Sequence, residues 1–214
     1  VEWVVQGLPV IPRSAWVPDS FNLVGLPVAP DNLVSLESFL EPSPSHRDPR
    51  IHRLTAIGRW LPVSSLGTSS LGDAEAIWVY CRSPSDYQGP ISVDLERSDG
   101  LHFGRTLTET RLRIRNHADA ARTVRLALRA PEPPGNPHAH FLAGSVPLSY
   151  YRIEAGRIGW AAVDAPVEIP LGPGAERTVR LAVRRADMAS FTPPSGTTSR
   201  SGAVYASLLE ISDG

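Results

Sequence analysis

The chain has 214 residues, with 21 basic and 22 acidic side chains and a formal charge of −1. That balance excludes a global field able to gather nucleic acid or acidic lipid. Hydrophobic residues make up 42% and charged residues 20%, ordinary globular usage that excludes wholesale disorder. Every basic residue is Arg, so no lysine is available as Schiff-base former, phosphate-loop cation or general base.

The 21 Pro and 17 Gly fit many short strands joined by turns. Residues 1–20 carry Pro9, Pro12 and Pro18 and read as an extended lead-in with a short strand over residues 2–5. Residues 21–28 form the first clear strand, with Phe21 and Leu23 on one face and Pro27 at an edge. Leu33, Leu36, Phe39 and Leu40 recur at helical spacing and predict one short amphipathic helix. A Pro-rich loop follows at 41–49. Residues 51–55 and 59–63 then pair about Gly58, and residues 75–81 make the most hydrophobic strand. Within it Trp78, like Trp60, is expected in the core. Cys81, the one cysteine, can form no internal disulfide and reads as a buried structural thiol.

Residues 91–95 either join that sheet or lead out of it. A second pattern takes over beyond them. Residues 106–116 alternate, with Leu112 and Ile114 inward and Arg111, Arg113 and Arg115 outward. The octapeptides at 122–129 and 177–184 differ at one position and alternate the same way, the pattern of a strand with one apolar and one solvated face. Residues 153–163 predict a hairpin about Gly156, and 131–137 and 192–202 are loops. The shift in composition around 88–98 predicts two domains, residues 1–93 and 94–214. The fold class expected is all-β: a small β-rich module with one short helix, then a β-sandwich.

The pieces Phe21-Asn22-Leu23-Val24-Gly25-Leu26-Pro27-Val28, Gly58-Arg59-Trp60, Glu75-Ala76-Ile77-Trp78-Val79-Tyr80-Cys81 and Gly89-Pro90 occur in an order that resembles a β-rich module of multidomain bacterial proteins, often secreted or surface-attached. The resemblance spans some 70 residues of this chain and implies no catalytic residue. The second half is similar to a bacterial immunoglobulin-like sandwich. Its marks are Leu112-Arg113-Ile114-Arg115-Asn116 before a turn and strand, and Ile169-Pro170-Leu171-Gly172-Pro173-Gly174 before another. Domains of that kind mostly connect, space or bind.

The last residues, 203–214, read as a strand running into an Asp-Gly turn. With Val rather than Met at position 1, the expectation is a piece of a longer chain whose last sheet edge is incomplete. Val204, Ala206, Leu208 and Glu210 then line an edge open to a partner strand. A second set of candidate residues is aromatic. Trp16, Tyr150, Tyr151 and Trp160, if exposed together, would offer faces for sugar rings; otherwise they seal the contact between domains.

Catalytic motifs are missing. No G-x-S-x-G elbow, phosphate loop or G-x-G-x-x-G occurs. His138 and His140 could present two rings to one face, yet zinc catalysis takes three protein ligands and no third is near. Asp94 with Glu96, or Asp73 with Glu75, are carboxylate pairs of the kind any solvated strand face carries. The Arg-faced strands lack interleaved aromatics, so a solvated face is preferred to nucleic-acid binding. The reading is therefore a non-catalytic binding or scaffolding segment of a larger bacterial protein, with no cofactor and no metal. Its expected partner is a protein or the remainder of its own chain. Carbohydrate binding is the alternative, and a hydrolase with a site between the domains the remoter one. No apolar run reaches the roughly 18 residues of a membrane helix, and the module resemblance implies an extracytoplasmic or cell-surface setting over a cytoplasmic one.

Overall fold

The computed structural model describes residues 13, 15–26, 28, 34–72, 75–97, 99–131, 142–154, 156–191 and 204–213. The expected all-β character holds, with a single short α-helix among the described residues. The strands predicted at 2–5 and the loops predicted at 131–137 and 192–202 fall, mostly or wholly, outside that set.

In the first part of the chain, β1 (Ser20–Gly25), β2 (Ile51–Leu54), β3 (Trp60–Pro62) and β4 (Ala76–Cys81) form an antiparallel sheet in the order β1-β4-β2-β3. Helix α1 (Leu36–Leu40) starts where the Ser35 hydroxyl accepts the Ser38 N–H at 3.1 Å, satisfying one of the donors a helix start leaves orphaned. Leu36, Phe39 and Leu40 pack with Val24, Ile51, Ile77, Val79 and Cys81. The hairpin between β2 and β3 turns at Gly58, whose φ of 77° suits a residue without Cβ.

Two expectations are corrected here. Trp60 is 39% exposed and Trp78 half-buried, not core. In β4 the side chains alternate, and Ile77, Val79 and Cys81 take the inner face. Trp78 and Tyr80 are thereby forced outward. The same parity buries Asn22 and Val24 in β1 and leaves Phe21 and Leu23 exposed.

The remaining strands are β5 (Ile91–Leu95), β6 (Glu109–Asn116), β7 (Arg122–Arg129), β8 (Leu142–Gly144), β9 (Leu148–Glu154), β10 (Arg157–Ala162), β11 (Val167–Leu171), β12 (Glu176–Val183), β13 (Val204–Tyr205) and β14 (Leu208–Asp213). Five of them form one sheet, β10-β9-β12-β6-β5, and three another, β11-β7-β14. A buried cluster joins them. Leu112, Ile114, Leu148, Val179 and Leu181 come from the first sheet; Val124, Leu126, Ile169 and Leu171 come from the second. This is a β-sandwich. The two near-identical octapeptides lie in opposite sheets and bury the same pair of positions, Val124 with Leu126 and Val179 with Leu181. The solvated-face reading fails at Arg122, which is on the inward parity of β7 and pairs with Asp213 at 2.8 Å.

β5 pairs with β6 over all five of its residues, so it belongs to the sandwich and not to the four-stranded sheet. The division expected at 93/94 falls inside it. Among the described residues nearly all the buried apolar side chains fall into two clusters, one drawn from residues 16–87 and one from 112–181.

Candidate functional site

One flank of the sandwich is closed by covalent continuity. β10 is the edge of one sheet and β11 the edge of the other. The chain crosses between them in residues 163–166, with Val163 buried. The opposite flank is framed by β5 and β14, the other two edges. Among the described strands none joins them, and a groove of about 1340 Å³ runs between.

Its floor is the side of the core that the sheets do not close. Val93, Leu95, Leu128, Val183, Leu209 and Ile211 line it, half-buried and packed against the buried cluster. At one end the walls are Phe39, Asp86, Gly89, Pro90 and His117; at the other, Phe103, Arg185, Met188 and Tyr205. The Arg185 guanidinium donates to the carbonyls of Gly104 at 3.1 Å and Leu107 at 2.9 Å, which pins the 100–107 loop to the far end. Charges lie along the rim. Arg13 donates to Asp94 on β5 at 3.4 Å. Asp99, bound through both its oxygens by the Arg97 guanidinium, is held down at about 2.

The four residues expected along an open edge divide between two places. Leu208 and Glu210 are on β14, which pairs with β7 on its other side. Val204 is on β13, paired in parallel with β8. Ala206 follows it and donates its N–H to the Gly144 carbonyl at 3.1 Å. The single strand expected at 203–211 is thus broken at Ala206 and Ser207. The Ser207 hydroxyl accepts the Val146 N–H at 2.8 Å there, in place of a ladder bond. Glu210 is turned from the groove and pairs with Arg129 at 2.7 Å. Val204, Ala206 and Leu208 line the groove, as do Leu209 and Ile211, which alone of these five pack against the core and have the parity the sequence reading did not choose.

The four candidate aromatics do not form one group; only Tyr151 and Trp160 meet. Trp16 is 6% exposed, and its indole N–H donates to the Tyr87 carbonyl at 2.6 Å. It is a core residue, because a buried indole needs that acceptor and finds it in the link between β4 and β5. Tyr150 is opposite Leu181, at the core. Tyr151 and Trp160 are cross-strand neighbours on the outer face, with ring centroids 5.4 Å apart. The Arg180 guanidinium lies 4.4 Å from the Tyr151 ring and pairs with Glu109 at 2.7 Å.

Two features escaped sequence reasoning. The outer face of the four-stranded sheet carries Phe21, His52, Trp60, Trp78 and Tyr80, with edge-to-face contacts among them; the alternation of residues 76–81 set Trp78 and Tyr80 on one face but did not say that it was the outer one. The other is a row of rings, Trp16, His46, Tyr87 and His117, whose wide spacing in the chain leaves no sequence pattern. Burial pushes the His46 and His117 pKa values down and the Tyr87 pKa up.

His138 and His140 lie outside the described residues. Among the described residues no group of three or more His, Cys, Asp or Glu is placed to hold a metal ion. No helix there is long and apolar enough to cross a membrane. No protein-family model, no curated protein and no solved structure matches the chain.

Proposed function

We propose that this chain is a non-catalytic binding or scaffolding segment of a larger bacterial multidomain protein, and that it works through protein–protein contacts at the β5/β14 flank. One observation carries the reading: β5 and β14, outermost in their sheets among the described strands, frame a groove whose apolar floor is the half-buried side of a core. Small-molecule pockets fill roughly 300–1,000 Å³, so the groove has room for an extended peptide. A strand laid against β14 would satisfy its outward N–H and C=O groups while alternate side chains dropped onto Leu209 and Ile211.

The test is selection of random ten-residue peptides, about one strand long with flanks, on the immobilised chain. Enriched peptides should alternate apolar and polar residues and slow hydrogen exchange along Leu208–Asp213. Ile211→Arg should lose them. Peptides that protect some other surface, or a robust activity abolished by one substitution, would refute the proposal.

A second reading, carbohydrate binding, draws on Tyr151 and Trp160 alone. Trp160 is 41% exposed beside the Arg180 guanidinium, an aromatic face with a polar rim. Glycan-array binding lost in Trp160→Ala and kept in Ile211→Arg would separate it from strand binding.

A further inference from the structure

The row of four rings is the joint between the first sheet and the sandwich. Trp16 meets His46 edge-on with centroids 4.2 Å apart; Tyr87 lies 6.0 Å beyond His46, and His117 6.2 Å beyond Tyr87. Trp16 and His46 belong to the first cluster's side, and His117 follows β6 of the sandwich. Tyr87 is on the connecting segment, which is clamped from both sides. Trp16 donates to its carbonyl, its hydroxyl donates to the Phe39 carbonyl, and the His117 N–H donates to the Pro90 carbonyl at 2.8 Å.

Both imidazoles are held in settings suited to the neutral ring. His46 is 1% exposed. Its Nδ1 lies 2.6 Å from the Ser43 hydroxyl, and its Nε2 is buried with no hydrogen-bond partner. Burial alone depresses its pKa; the adjacent Arg47 is exposed. Nε2 of His117 lies 2.8 Å from the Ser92 hydroxyl. Burial lowers its pKa, Arg115 lowers it further, and Asp86 and Asp94 oppose the shift. The charges that act on Tyr87 between them are Arg122, Asp213 and Glu41. No acidic group is in contact with either ring to accept a new proton's charge, among the described residues.

We propose that this joint is a proton-sensitive latch: the first module stays seated on the sandwich while His46 and His117 are neutral, and acid releases it. The proposal stands apart from strand binding. In the closed joint each imidazole has a depressed affinity for protons; in the opened joint it titrates at its ordinary value of 6.5. Below that value the open form binds more protons than the closed form. The stabilisation is whole above it and is lost as the pH falls toward the depressed values. Since Asp86, Gly89, Pro90 and His117 also wall one end of the groove, release would widen that end.

The experiment follows both rings and the joint. Histidine Cε1–H resonances are titrated by NMR, and backbone exchange over residues 85–92 is compared at about pH 7.5 and about pH 5.5, corrected for intrinsic rate. Expected are two imidazoles titrating below 6.5 and roughly tenfold faster exchange at Tyr87 and Gly89 in acid, with both cores still protected. His46→Gln should remove part of the acid response and the double variant with His117→Gln nearly all of it. Should His46→Gln fail to fold, His117→Gln and the wild-type titration decide alone. The latch is overturned by imidazoles titrating at 6.5 or above, by a joint that stays protected once they protonate, or by loss of both cores together with the joint.

Discussion

Asn116 is wholly buried at the end of β6. Its amide nitrogen donates to the carbonyls of Ala120 at 2.8 Å and Gly172 at 3.0 Å, and its oxygen accepts the Ala118 N–H at 3.0 Å. One side chain thus satisfies backbone groups of two turns that have no strand to pair with. Asn116→Ala should cost about 2–3 kcal/mol, because it strands several buried polar groups at once, measured by urea unfolding. The sequence marked this residue as part of a strand-Asn-turn pattern; that its amide also reaches the 171–172 turn, 56 residues on, is invisible in the chain. Cys81 is fully buried, and burial raises its thiol pKa. A thiol reagent such as Ellman's should leave it unmodified in the native protein and modify it at once in denaturant, the behaviour of an inert structural thiol.

At the scale of elements, the segment joining β4 to β5 is held at its far end by the bonds of Tyr87 to Trp16 and Phe39 and of Pro90 to His117. Gly89 there is buried at φ 147°, and a Cβ on it would stand 3.1 Å from the Phe39 ring. Gly89→Ala should destabilise by about 1–3 kcal/mol through backbone strain and crowding together, read as a lowered melting temperature. Parity explains the element-level gains and losses. In β6 the alternation of Arg with Leu and Ile is unambiguous, and the inward set was legible. In β4 both parities are hydrophobic, Ile77, Val79 and Cys81 against Trp78 and Tyr80, so composition alone could not say which faced the core. The break at Ala206 and Ser207 was equally hidden, since a lone Ser without Gly or Pro beside it carries no turn signal, and only the bonds to Gly144 and Val146 end the strand.

For the whole molecule, the two buried clusters have no residue in common. Leu36→Ala in one and Leu126→Ala in the other should each cost about 2–5 kcal/mol. In the double variant the losses should add to within about 0.5 kcal/mol, as measured by denaturant unfolding; a larger coupling would mean that the joint transmits strain between the clusters. What the sequence by itself determined is the class of molecule: turn residues, period-two alternation and one helical spacing dictate short strands and a single short helix, because these are local steric and burial preferences. Only the tertiary structure decided which sheet edges frame a common groove, which aromatic rings are core, and that two histidines 71 residues apart, His46 and His117, flank one tyrosine. Those outcomes depend on pairings between distant segments, and the free energy that selects them comes from contacts no local stretch of chain contains.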